Sequence, residues 1–142
     1  MTVNIVLVTH ENIGNALVQA AETILARKLK NVFSVSVQPY DETDRLLASI
    51  DALLSDNTIA NDEILLLTDI VGSTPCNMVS KLLEKHHDKN ITGLTGINLA
   101  MLLKALNYQQ LSLAELTEKV VNCGKVSVSK CQETNNDKEN IN

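Results

Sequence analysis

Tryptophan is absent from the sequence, and Phe33, Tyr40 and Tyr108 are its whole aromatic complement, 2% of residues. A core must therefore be built from Leu, Ile, Val and Ala, and the stacking platforms that single-stranded nucleic acids need are missing. Positive charge is also short: 12 Lys and Arg against 17 Asp and Glu give a net charge of −5 and a pI near 5.1. Such a chain is a poor match for a phosphate backbone, though it can meet a basic protein partner. Cysteine is limited to Cys76, Cys123 and Cys131, an odd number with no C-x-x-C pair. That excludes a disulfide framework and a cysteine zinc site, and fits a reducing, cytoplasmic setting. No apolar run approaches the roughly 18 residues of a membrane span, and the first residues lack the basic and apolar blocks of a signal peptide.

What is present suits a globular domain. Hydrophobic residues make up 44% and charged residues 20% of 142, enough apolar material for one core. Residues 2–9 and "EILLLTDI" (63–70) are the most apolar runs and read as buried strands. "VFSVSVQP" (32–39) alternates and ends at Pro39, while "NITGLTGIN" (90–98) is a strand weakened by two glycines. Between them, helical spacing marks residues 13–29 (Ile13, Leu17, Ala21, Ile24) and 41–56 (Leu46, Leu47, Ile50, Leu54). The segment 74–87 places Pro75 in a first turn and bases at its end, where His86 and His87 are expected as exposed, dipole-stabilising residues. Two short helices follow over 99–108 and 112–124, the second opened by Ser112 and Glu115 in capping-box spacing. "KVSVSK" (125–130) reads as a fifth strand, and 131–142 as a polar, frayed tail behind a single domain over 1–130. The alternation predicts an α/β fold: a doubly wound parallel sheet with helices on both faces. The two most apolar strands should be central neighbours, giving the order 2-1-3-4.

In such a sheet, chemistry sits beyond the carboxyl ends of the strands at the switch point. There the sequence offers His10 after the first strand, Asp69 after the third, and Gly72-Ser73-Thr74 leading into a helix N-terminus. An Asp that accepts from one imidazole nitrogen fixes the tautomer and leaves the other nitrogen nucleophilic. The loop and helix start make an anion cradle. Each residue has an ordinary reading taken singly: a surface or capping His, a turn-forming Asp, a Gly-Ser-Thr-Pro turn. Together they point to phosphate carried on histidine. Asn98 either caps the next helix or lines the same crevice, and the acids Asp41, Glu42 and Asp44 fit a helix first turn. A receiver domain would need acids at the end of the first strand, where Thr9-His10 stand. A flavodoxin would need a Ser/Thr/Gly-rich loop in place of "THENIG".

"IVLVTH", "LLLTDIVGSTPCN" and "TGINLAMLLKAL" together resemble the IIA component of the mannose family of the sugar phosphotransferase system, in order and spacing over roughly residues 1–125. The resemblance implies that His10 is the phosphorylated histidine and that Asp69 orients it and balances its charge. Thr9, Gly72, Ser73 and Thr74 would bind the phosphoryl group, with no metal or organic cofactor. It implies phospho-HPr as donor, a IIB component as acceptor, an indirect link to a membrane permease, and a homodimer in which "KVSVSK" is an exchanged antiparallel strand. The chain departs from the family pattern at Ser73 and Thr74, which stand where Gly and Ser are usual, and at Ala100, which stands where proline is usual. No IIB sequence follows, so a separate IIB chain is expected. The alternatives are a regulatory phosphoacceptor of an incomplete system and a binding domain without covalent chemistry.

Overall fold

The computed structural model describes residues 2–56 and 63–131. Its elements run β1 (Asn4–His10), α1 (Ile13–Leu25), β2 (Val32–Val37), α2 (Thr43–Leu54), β3 (Ile64–Thr68), α3 (Thr74–Lys85), β4 (Ile91–Leu94), α4 (Leu99–Asn107) and α5 (Leu113–Val126). The four strands are all parallel in the order β2-β1-β3-β4. The two central strands are the two expected from their continuous apolar runs, because strands covered on both faces cannot alternate with polar residues.

Strand period two divides the core. Ile5 and Leu7 of β1, with Leu65 and Leu67 of β3, pack under α1, α4 and α5. Val6 and Val8, with Ile64 and Leu66, pack under α2 and α3 beside Ile50, Leu54, Met78 and Leu82. Each fully buried Leu or Ile contributes roughly 1.5–3 kcal/mol. The same alternation puts Thr9 on the α1 face and His10 on the α2–α3 face.

The expected fifth strand is not formed. Gly124 does not stop α5, which continues through Lys125 and Val126 to its C-cap Ser127. That leaves Val128 as the sole apolar residue of the predicted strand outside the helix, and it is 86% exposed. The Ser127 hydroxyl donates to Gly124 O and accepts from Asn98 Nδ2, so the chain leaves the helix tied to the α4 cap instead of a sheet edge. The predicted tail at 132–142 lies outside the described residues. His86 also differs from expectation. It is buried, and its Nε2 pairs with Asp51 of α2, which also receives Lys85 Nζ at 2.5 Å. His86 therefore bridges two helices, while His87 stays exposed, its Nδ1 3.2 Å from Glu84 O.

Gly14 lets α1 approach the sheet. A Cβ placed there would lie 2.5 Å from Ser34 Oγ and 2.9 Å from Thr9 Oγ1. Gly14→Ala is expected to cost about 1–3 kcal/mol by overpacking. A Cβ on Gly124 would instead meet the flexible Met101 side chain, 2.9 Å away at Sδ. Gly124→Ala should change stability by less than about 1 kcal/mol, because helix propensity offsets the crowding. Urea midpoints of the two variants check this; equal losses would contradict the packing argument.

Candidate functional site

The parallel pairing of β1 with β3 runs to Val8 opposite Thr68, so His10 and Asp69 emerge side by side at the carboxyl edge. Asp69 Oδ2 accepts two hydrogen bonds from one residue: the His10 amide at 3.1 Å and ring Nδ1 at 2.7 Å. An ionised carboxylate can only accept, so Nδ1 carries the proton and Nε2 keeps a lone pair. The His10 side chain is 43% exposed and that of Asp69 only 11%. Burial opposes ionisation of Asp69, but the hydrogen bonds from the His10 ring and amide outweigh it and hold the carboxyl below its ordinary value of 3.8.

A cavity of about 490 Å³ opens beside His10. Thr74 and Met78 of α3 form one side. Val37 at the end of β2 and Gln38 and Pro39 after it, with Thr43 and Leu46 of α2, form the other. Glu11 and Asp41 bring carboxylates to its wall. The β2 wall was not read from the sequence, although a switch point bordered by β2 follows from the predicted strand order. Asp41, read as part of a helix first turn, precedes α2 and accepts from Gln38 N at 2.7 Å, which fixes the turn that shapes this wall. Glu11 gave no sequence signal for its left-handed backbone, φ 45°.

The predicted site residues separate into two groups. His10, Asp69 and Thr74 converge at this edge. Gly72 supplies the left-handed turn before α3, φ 74°. Ser73 is the N-cap of α3: its hydroxyl donates to Ile70 O at 2.6 Å and accepts weakly from Cys76 N at 3.5 Å. Thr9 lies on the opposite face of the sheet, fully buried, its hydroxyl accepting from Gly14 N at 2.8 Å. Asn98 caps α4 by accepting from Met101 N at 2.9 Å and does not line the cavity. That cap also lets α4 start with Ala100 in its first turn and no proline. Among the described residues no cluster of His, Cys, Asp and Glu is arranged to hold a metal ion.

The family model described as PTS system fructose IIA component (EIIA-man) matches residues 4–121. The chain belongs to the mannose-type IIA family of the sugar phosphotransferase system. Solved IIA structures agree. The phosphotransferase system component EIIA from Streptococcus agalactiae is 25% identical, with a TM-score of 0.81 over 90% of this chain and 96% of that one. The mannose/sorbose-specific IIA subunit from Enterococcus faecalis shares the fold at 22% identity, TM-score 0.83, over 94% and 98% of the two chains. The IIA protein associated with the fucose utilization operon of Streptococcus pneumoniae shares it at 17% identity, TM-score 0.78, over 92% and 93%. IIA components work in phosphoryl transfer with HPr and IIB components. Among the described residues of this IIA chain, no helix is long and apolar enough to cross a membrane.

A second carboxyl is also held low: hydrogen bonds from Lys85 and then His86 keep Asp51 below the ordinary 3.8. A carboxyl whose pKa is lower in the folded than in the unfolded chain adds stability above its unfolded value and loses it as pH falls through the folded one. The contribution of these two carboxyls should therefore be fully present above about pH 5 and fall away below about 4. Asp69→Asn and Asp51→Asn should each cost about 1–2 kcal/mol at neutral pH and flatten the acid limb. Urea midpoints against pH measure this, and an unchanged acid limb in both variants would contradict it.

Proposed function

We propose that this IIA chain is a phosphohistidine carrier: His10 accepts a phosphoryl group from phospho-HPr and passes it to a separate IIB component. One observation carries the reading. Asp69 Oδ2 accepts from both the amide and ring Nδ1 of His10, which leaves Nε2 as the lone-pair nitrogen of a half-exposed ring at the cavity mouth.

The chemistry follows from that tautomer. The Nε2 lone pair attacks phosphorus as the P–N bond of the donor breaks, and that bonding pair returns to the donor imidazole. No proton has to leave His10. The ring becomes a phosphorylated imidazolium, and its new positive charge lies against the Asp69 carboxylate. Transfer to IIB is the same step with an acceptor histidine as nucleophile. Positioning and charge stabilisation supply the rate in such transfers. Thr74, on the first turn of α3, brings the positive end of that helix to the same cavity. The turn of Gly72 and Ser73 sets that end in place.

The surrounding surface suits a protein partner. Ile13, Tyr40, Ile70 and Val71 are exposed on the segments following β1, β2 and β3. Glu11, Asp41 and Glu42 lie among them, so the face is apolar with acidic charges and complements a basic donor or acceptor. In this reading residues 1–130 form one cytoplasmic carrier unit, and the permease is met only through IIB. Exposed Val126 and Val128, with an outer edge of β4 unpaired among the described residues, support a homodimer.

Intact mass after incubation with phosphoenolpyruvate, enzyme I and HPr tests the proposal. A gain of one acid-labile phosphoryl group, absent in His10→Ala and slower to appear in Asp69→Ala, is expected. Labelling that survives His10→Ala would defeat the assignment, and no labelling from a competent donor would make the site a binding crevice. A labelled chain that no IIB component discharges would make His10 a regulatory mark instead of a relay.

A further inference from the structure

We propose that Thr9 is a positioning residue for His10, acting through Gly14 and the β1–α1 turn; this rests on the reading of His10 as the phosphoryl acceptor. The first N–H groups of a helix have no partner within it and need acceptors from elsewhere. α1 lacks a cap of its own: Asn12 makes no capping bond, and its Oδ1 accepts from the Asn15 side chain at 3.0 Å. The acceptor comes from the preceding strand, where Thr9 Oγ1 takes Gly14 N at 2.8 Å. Thr9 is fully buried, so water cannot replace that acceptor.

The helix is thus stapled to β1 at the residue beside His10. Two further bonds hold the next positions: His10 N to Asp69 Oδ2 at 3.1 Å and Glu11 N to Val37 O at 2.9 Å. Three successive residues are tied, each to a different element. The ties hold a turn that is not relaxed, because Glu11 is a non-glycine residue at φ 45°. Without the Thr9 staple, α1 can shift off the strand end and Glu11 can relax toward negative φ. Either movement turns the His10 peptide and lengthens the 2.7 Å bond between Nδ1 and Asp69. Thr9 acts from the far face of the sheet and does not reach the cavity itself.

The test compares Thr9→Val, which keeps the shape and loses the acceptor, with Thr9→Ser, which keeps the acceptor and loses a methyl group. Thr9→Cys, a small residue with a weak acceptor, replaces Thr9→Val if that variant does not fold. Single-turnover phosphorylation by phospho-HPr gives a rate at saturation and a half-saturating concentration, and ¹⁵N shifts of His10 report its tautomer. Thr9→Val should lose about tenfold in the saturated rate. Its half-saturating concentration should not move, because the docking face is untouched, and its His10 signals should show a mixture of tautomers. Thr9→Ser should stay close to wild type in all three. Equal saturated rates for the Val and Ser variants, or a change confined to half-saturation, would overturn the proposal. If wild type takes up no phosphoryl group, the carrier reading fails separately. The His10 spectrum still decides Thr9, since a wild-type tautomer in Thr9→Val would refute the positioning role.

Discussion

The parallel pairing of β1 with β3 is the constraint on which the site depends. Both strands are covered on two faces, so their residues are apolar almost to the last position, and polar chemistry can begin only where cover ends. Register then does the rest. With Val8 opposite Thr68, β1 runs on to His10 while β3 has ended, so Asp69, the first residue past β3, is released from strand alternation and its carboxylate reaches the His10 amide and ring. Their hydrogen bond needs little loop ordering of its own, since His10 is fixed in the sheet by pairing with Val37 and Asp69 directly follows the last residue of β3. A site built on strand ends inherits the stiffness of the core, as phosphoryl transfer between positioned histidines requires.

Within that frame the charge balance is uneven. Asp69 Oδ1 is buried without a hydrogen-bond partner among the described residues, so the need to stabilise the carboxylate falls mainly on Oδ2 and hence on His10. A poorly solvated anion held mainly by one residue gains most when that residue becomes positive. The proposed phosphorylation at Nε2 would do this, converting a neutral hydrogen bond into an ion pair in a poorly solvated place. In the proposed carrier role the arrangement would favour the loaded state without a cation at the cavity wall, where the other titratable groups are Glu11 and Asp41.

Much of this was legible in the sequence, and the exceptions have physical causes. Apolar continuity identified the central strands, and the strand order then placed His10 beside Asp69. The C-terminal strand failed because alternation over "KVSVSK" is too short to outweigh an amphipathic helix already running into Lys125 and Val126. His86 misled because a basic helix end is ordinarily solvated, and its partner Asp51 lies 35 residues away, beyond any local pattern. Thr9 was assigned to the phosphoryl group by its place next to His10. Strand period two argues otherwise, since neighbours on a strand face opposite ways. Ser73 and Asn98 were both open to a capping role, and capping is what their side chains do here.

The two His–Asp pairs among the described residues show why residue type alone does not make a site. His86 presents Nε2 itself to Asp51, is only 10% exposed, and shares that carboxylate with Lys85. Its nucleophilic nitrogen is consumed by the bond that holds α2 to α3. His10 spends Nδ1 on its partner, and its side chain, 43% exposed, keeps Nε2 at the cavity. The same two residue types therefore give a fastener in one place and, in the proposed role, a nucleophile in the other. The difference lies in which ring nitrogen is bonded and whether the remaining one can reach a partner. The strand ends fix both conditions for His10, whereas the helix–helix seam removes both for His86.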